Sequence, residues 1–400
     1  MAPPGGAATM INISGNLKHY AWGGYSFLPM ILGLKPDGQP CSELWFGDHP
    51  AGPSTLVDGS PLSDWISQDP ALRLGRASVS RFGPRLPFLL KILDVRAPLS
   101  IQVHPNLAQA RAGYQREKEQ GTPAALRSYK DDNHKPELML ALSDFFMLHG
   151  FAREEDAVSQ LSRFDSLKGL AAFYRQHGLK EFVKEIFSMD KARFPALFDP
   201  IARNCEDRYK SGAISKRDPL FWLMRAVAAN KENGLPYDAG LLMILVMNLM
   251  YVPAGGAAFQ GAGVPHAYLE GLNIELMANS DNVVRGGLTP KHVDVGELLA
   301  ITVFESESPR LIEPVRADGA LEYQVPVPDF RLREYRLRQG EQIMAPAADN
   351  ACIWMLYSGE VATGDDCYHG GVCAFYQRPG EICQITATTQ ARIFRASCAC

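Results

Sequence analysis

The stretch LSIQVHP, Leu99–Pro105, decides how this chain is read. In an extended backbone alternate residues point the same way, so Leu99, Ile101 and Val103 share one face and Ser100, Gln102 and His104 the other. One face suits a core. The other carries an amide and an imidazole where a purely structural strand has no need of them.

Outward from this stretch, β-type runs broken by Gly, Pro and Asp extend from Asn12 to about Arg153, among them ELWFGDHPAGPS (Glu43–Ser54) and LPFLLKILDV (Leu86–Val95). Small and charged residues from Ala108 to Glu119 predict a surface helix directly after the strand. From Glu154 to about Asn248 the period changes. Leu179, Phe182, Val183 and Ile186 fall at helical spacing, Asp218-Pro219 is a cap followed by proline at the first helical position, and Leu220, Leu223, Met224 and Val227 repeat the stripe. Trp222 and Phe182 lie in these stripes as core residues. β character returns at Leu249–Gly271 and continues from about Pro309 to Ala396. The expectation is a mainly β protein with a helical insertion: a leader over residues 1–11, one β unit from 12–153 and 249–308, helices over 154–248, and a second β unit over 309–400.

With 400 residues, 46% of them hydrophobic, the chain can fill several cores. A net charge of −4 without blocks of like charge excludes nucleic-acid binding and adhesion to an anionic membrane. The start, MAPPGGAATM, has neither the basic end nor the apolar run of a secretory signal and reads as a disordered leader ahead of a second possible start at Met10. The greasy run Ala239–Met247 is far shorter than the roughly 20 residues of a membrane helix and predicts a core helix. Eight cysteines without CxxC spacing point to a reducing, cytoplasmic setting. Six of the eight fall in the last fifty residues, where they read as small buried hydrophobes in strands plus a frayed tail.

Gln102 and His104 gain meaning from their company. NHKPEL places Asn133, His134, Lys135 and Glu137 before a strand-like LMLAL, and VPHAYLEG contributes His266. Glutamine oxygen, two imidazoles and one carboxylate form a mixed ligand set for a divalent ion. Lacking thiolate, the set leaves the ion net positive and able to act as a Lewis acid, with zinc, manganese and iron all open. A third cluster, Gly271–Val295, carries Glu275 on a strand-like run and Asp281, Asn282, Arg285 and Lys291 around a Gly286-Gly287 turn.

These residues bring a family with them. NLKHYAWGG (Asn16–Gly24), ELWFGDHP, LPFLLKILDV, PLSIQVHPN, YKDDNHKPEL, PHAYLEG and ANSDNVVRGGLTPKHVDV together resemble type I mannose-6-phosphate isomerase (phosphomannose isomerase) over most of the chain. The resemblance implies two cupin-type (jelly-roll) β-barrel regions with a helical insertion. It implies one Zn2+ per chain on Gln102, His104, Glu137 and His266, with Arg285 as the active-site arginine. The implied reaction is the reversible interconversion of mannose 6-phosphate and fructose 6-phosphate through an enediol or enediolate. Lys135 and Glu275 are the candidates for proton transfer and His134 for ring opening; Lys91, Ser100, Asn282 and Lys291 are the candidates for holding the substrate. A small sugar phosphate is the expected partner and a monomer the expected state. Gly24 stands where the family commonly has serine and Asp48 where a small or neutral residue is common, and the last hundred residues match weakly. Two rivals are set beside this reading: a metal cupin of different chemistry, such as an iron oxygenase or another sugar-phosphate isomerase, and a silent sugar-binding module.

Overall fold

The computed structural model describes residues 10–306, 308–345, 348–364, 366–369 and 371–399. Three antiparallel sheets of ten, eight and four strands make up most of it. The ten-stranded sheet runs in the order Ala257–Gln260, Glu137–Ala141, His266–Ala278, Phe88–Val95, Glu43–Phe46, Asn16–Lys18. Further strands at Gln102–Val103, Phe145–Phe151, Met247–Val252 and Val284–Arg285 branch from the long strand His266–Ala278 or from each other. Among the described residues no sheet's pairing closes on itself, so the expected mainly β, cupin-like architecture is present without a closed barrel.

The run LPFLLKILDV shows why the sheet has two different faces. Phe88, Leu90 and Ile92 join Leu44, Phe46, Leu138, Leu140, Ile274 and Leu276 in a core shared with Ile353, Met355, Tyr376 and Phe394 of the eight-stranded sheet. The alternate positions Leu89, Lys91, Leu93 and Val95 face the opposite side with Met139, Tyr268 and Glu275. One side of the sheet therefore cements the molecule and the other is free to carry polar groups.

Five α-helices, Glu154–Ser162, Lys168–Ser188, Phe194–Lys210, Pro219–Glu232 and Gly240–Val246, occupy the stretch with helical spacing. Asp218 caps its helix by accepting from Leu220 N at 2.9 Å, with Pro219 at the first turn. Gly178, at φ 80°, breaks Lys168–Ser188 into two pieces. Phe182, Trp222 and the whole of Gly240–Val246 are buried in the helical core, which also takes Ile101, Phe146, Leu148 and Leu269 from the strands.

Several expectations need correction. LSIQVHP is regular only over Gln102–Val103; before it Leu99 N donates to Tyr268 O and Ile101 N to Gly287 O, so the segment changes neighbours and Leu99 turns toward the polar side with Leu93 and Tyr268. The leader call falls largely on residues 1–9, outside the described residues, but Ile11 already begins a strand. That strand, Ile11–Ser14, pairs with Cys373–Gln377 and with Thr55–Leu56, so it belongs to the eight-stranded sheet and not to the ten-stranded one. The physical reason is the alternation Ile11, Ile13, whose apolar side chains complete the shared core. Near the other end, Ala391–Ser397 is an interior strand of the same sheet and Cys398 is buried; Cys400 lies outside the described residues. Cys352 and Cys383 are buried core residues, Cys373 is half-buried and Cys367 exposed.

Two predictions follow from this packing. Leu90, fully buried between the sheets, should cost about 3 kcal/mol when cut to alanine, read as a lower urea midpoint at unchanged slope. Asp48 is buried at the end of Glu43–Phe46, accepting from Leu86 N at 2.9 Å and Asn279 Nδ2 at 3.0 Å, and burial pushes its pKa up to about 6 from 3.8. Because the folded state binds this proton more tightly, its contribution is complete below about pH 4 and disappears as pH rises through about 6, on the order of 3 kcal/mol in all. The wild-type protein minus Asp48→Asn should show that downward slope in unfolding free energy; equal slopes would remove Asp48 as its source.

Candidate active site

Three distant segments meet at one point on the polar side of the sheet. His104 follows the strand Gln102–Val103, which lies between Val284–Arg285 and the start of His266–Ala278, with Gln102 opposite both Arg285 and His266. Pro105 ends the strand, and Asn106 and Gln109 exchange capping bonds of 2.9 Å that launch the helix Leu107–Glu119. Glu137 opens a wholly buried strand between Gln260 and Met277.

His104 Nδ1 lies 2.8 Å from the Asn282 carbonyl oxygen and His266 Nδ1 3.0 Å from that of Val264. A carbonyl oxygen only accepts, so each Nδ1 must carry the hydrogen and each Nε2 presents a lone pair. Those two Nε2 atoms stand 3.3 and 3.2 Å from the two oxygens of Glu137. Burial pushes His104 down to about 4, so it stays neutral, and its Nε2 is buried without a hydrogen-bond partner. The ligand atoms of His104, Glu137 and His266 all lie within 4.8 Å of one another. Lone pairs facing a carboxylate in a dry interior repel unless a cation lies between them, and nitrogen and oxygen donors of this kind suit a divalent metal.

Around this cluster charges come in pairs. Burial alone would raise Glu137, but the Lys135 ammonium, 3.0 Å away, outweighs it and holds the carboxyl well below the usual carboxylate range. Lys91 donates to Glu275 at 2.9 Å and lies 3.6 Å from Glu43, which also accepts from the Trp45 indole. Burial opposes the Lys91 ammonium, yet Glu275 and Glu43 outweigh it and raise its pKa. Glu275 is itself raised, by burial first, with Lys91 opposing and Glu137 reinforcing. Lys91 is thus a buried ammonium neutralised by two carboxylates.

A chamber of about 60 Å3 is lined by Gln102, Lys135, Glu137, His266, Lys91 and Glu275. It adjoins, at Glu43, Leu99 and Gln102, a cavity of about 390 Å3 lined by Ser100, Arg285, Thr289 and Lys291. Arg285 is half-buried, and its guanidinium has no hydrogen bond or ion pair with any described residue. Lys291 is exposed, and burial, Arg285 and Lys130 lower its pKa, which marks a crowded positive spot.

Two candidate residues have other occupations. The Asn282 amide is spent on the chain itself, accepting from Lys130 N and Asp131 N and donating to Asp131 O and Asn133 O, while its carbonyl holds His104. It orients a ligand and has no donor left for substrate. His134 lies 2.9 Å from Asp329, which sits between the strands Ala320–Tyr323 and Arg331–Leu337 of the eight-stranded sheet, and lines neither cavity. Two further residues were not singled out from sequence. Glu43 was signalled by alternation in ELWF, which puts it on one face with Trp45; Tyr268, whose hydroxyl lies beside Glu275, had no signal except its place two residues after His266.

Residues 10–154 match the family described as phosphomannose isomerase type I, catalytic domain. The mannose-6-phosphate isomerase of Salmonella typhimurium is 36% identical over 378 residues, 89% of this chain and 91% of that protein. That of Escherichia coli is 35% identical over 348 residues, 83% of this chain and 85% of that protein. A solved structure of mannose 6-phosphate isomerase bound with zinc and yttrium has a TM-score of 0.85 and 31% identity, covering 98% of this chain and 100% of that one. At this identity and coverage, the chain belongs to the type I mannose-6-phosphate isomerase (phosphomannose isomerase) family.

Proposed function

We propose that this chain catalyses the reversible interconversion of mannose 6-phosphate and fructose 6-phosphate, with one Zn2+ held by His104, Glu137 and His266 and completed by Gln102. The observation that carries the reading is the convergence of two imidazole Nε2 atoms on one buried carboxylate, beside a cavity that ends in an arginine without a partner among the described residues. Two histidines and a carboxylate also suit an iron oxygenase; Gln102 as a fourth ligand and membership of the isomerase family favour the isomerase.

The reaction moves two protons: the carbon-bound one leaves C2 of the open aldose and returns to C1, the one on O2 passes to O1, and negative charge rests on the two oxygens in between. The bound metal would supply Lewis-acid polarisation of those oxygens. Glu275 is placed to carry the carbon-bound proton: its raised pKa lets it both accept and return a proton, and Lys91 holds its carboxylate in place. Lys135, fixed by Glu137, faces the same chamber and donates to oxygen. Arg285 offers fixed donors to the enediolate. The phosphate suits the wider cavity, where Ser100 donates and an anion relieves the repulsion between Arg285 and Lys291. His134, paired with Asp329, is better suited to organising the NHKPEL loop than to ring opening.

The described residues contain no helix long and apolar enough to cross a membrane. Among Cys41, Cys205, Cys352, Cys367, Cys373 and Cys383 no disulfide forms. The proposed enzyme is a cytoplasmic monomer that acts on a small sugar phosphate.

A coupled assay for fructose 6-phosphate formation tests the proposal. Chelation should abolish turnover and Zn2+ should restore it; full turnover by metal-free protein would refute the metal's part. Arg285→Ala should lower kcat by about 100-fold or more at unchanged metal content, and near-normal turnover would discard its assigned role.

A further inference from the structure

Among the described residues the Arg285 guanidinium has no hydrogen bond or ion pair, so its position is set by the backbone it hangs from. That backbone is a two-residue strand running into the turn Gly286-Gly287-Leu288-Thr289. One edge of the turn is pinned to the ligand-bearing segment: Gly286 N donates to Ile101 O at 2.8 Å and Ile101 N to Gly287 O at 3.0 Å. The other edge is gripped from the helical insertion. Asp238 accepts from Leu288 N at 3.2 Å and from Thr289 N at 3.1 Å, and also from Gly240 N at 2.9 Å at the start of Gly240–Val246. Leu288 has φ 54°, a left-handed conformation that bulky side chains resist, and two carboxylate bonds at and just after it compensate. The approach leaves no spare room. A Cβ on Gly240 would lie 2.2 Å from Leu288 N, and one on Gly287 2.5 Å from the Gly240 Cα.

We propose that Asp238 is a positioning residue for Arg285: the helical insertion sets the arginine, and Lys291 beyond it, through this carboxylate. The inference rests on the isomerase reading for its kinetic consequence but not for the latch itself. It makes the insertion part of the active site's frame, although none of its side chains need touch the reacting carbons.

Asp238→Asn keeps the shape but turns one acceptor into a donor facing a backbone N–H. The expected result is a kcat lower by about tenfold or more at unchanged metal content, and faster hydrogen exchange at the Leu288 and Thr289 amides. In an Arg285→Ala background the same substitution should change kcat by less than twofold, because the arginine through which it acts is gone. A residue that only stabilises the fold would lower the melting temperature and leave kcat of the folded enzyme alone. Gly240→Ala, whose Cβ would press on both the Leu288 amide and the Asp238 carboxylate, breaks the same latch from the helix side, should reproduce the kinetic loss and serves if Asp238→Asn does not fold. A kcat within twofold of wild type, or an equal loss with and without Arg285, would overturn the proposal. Wild-type protein with no turnover but protected Leu288 and Thr289 amides that lose protection in Asp238→Asn would count against the isomerase reading and support the latch.

Discussion

A carboxylate and two imidazole lone pairs, all buried and all electron-rich, are held against one another at the end of the central sheet. No positive group of the protein lies between the lone pairs and the carboxylate, so the arrangement has its lowest energy with a cation among the three groups. Much of the neighbouring structure follows from keeping them there. Each imidazole is tethered through Nδ1 to a backbone carbonyl, which settles its tautomer and aim, and Lys135 supplies positive charge to the carboxylate from outside the cluster.

The sheet makes such a site affordable by dividing its labour between faces. Its apolar face packs on the eight-stranded sheet, where Leu90, Ile92, Ile274 and Leu276 are fully buried. With cohesion secured there, the other face tolerates Glu43, Lys91, Glu137 and Glu275, provided that they are paired. They are: Lys91 bridges Glu275 and Glu43, and Lys135 answers Glu137. The exception is Arg285, left without a carboxylate at the cavity wall, where an anionic ligand is the natural partner.

The helical insertion and the C-terminal sheet enter this picture through loops. Asp238 joins the insertion to the turn that follows Arg285, and His134 joins the NHKPEL loop to Asp329. Asn282 is the clearest case of a polar residue working inside the protein. Its amide closes the 130–133 loop and its carbonyl fixes His104, so one residue aligns two of the segments that form the site.

Local sequence signals by themselves determined the strands of the central sheet and most of the helices, because alternation, the 3.6-residue stripe and capping residues act on the backbone; Asp218-Pro219, the core run Gly240–Val246 and the helix after His104 were legible in this way, whereas Leu62–Gln68, Pro70–Leu74 and Arg76–Phe82, helices too short to show a full stripe, fell inside a stretch read as β. The metal-type residues were legible as chemistry, since glutamine, histidine and glutamate on strands ask for partners. What each polar group does once folded was decided only by tertiary structure. Lys91, Asn282 and His134 carry donors that suit a substrate as well as they suit another residue, and the choice depends on which atom lies within about 3 Å after residues more than 100 positions apart come together. The same holds for the first strand, Ile11–Ser14: only the ladder with Cys373–Gln377 shows that the strand already includes Ile11 and which sheet it completes.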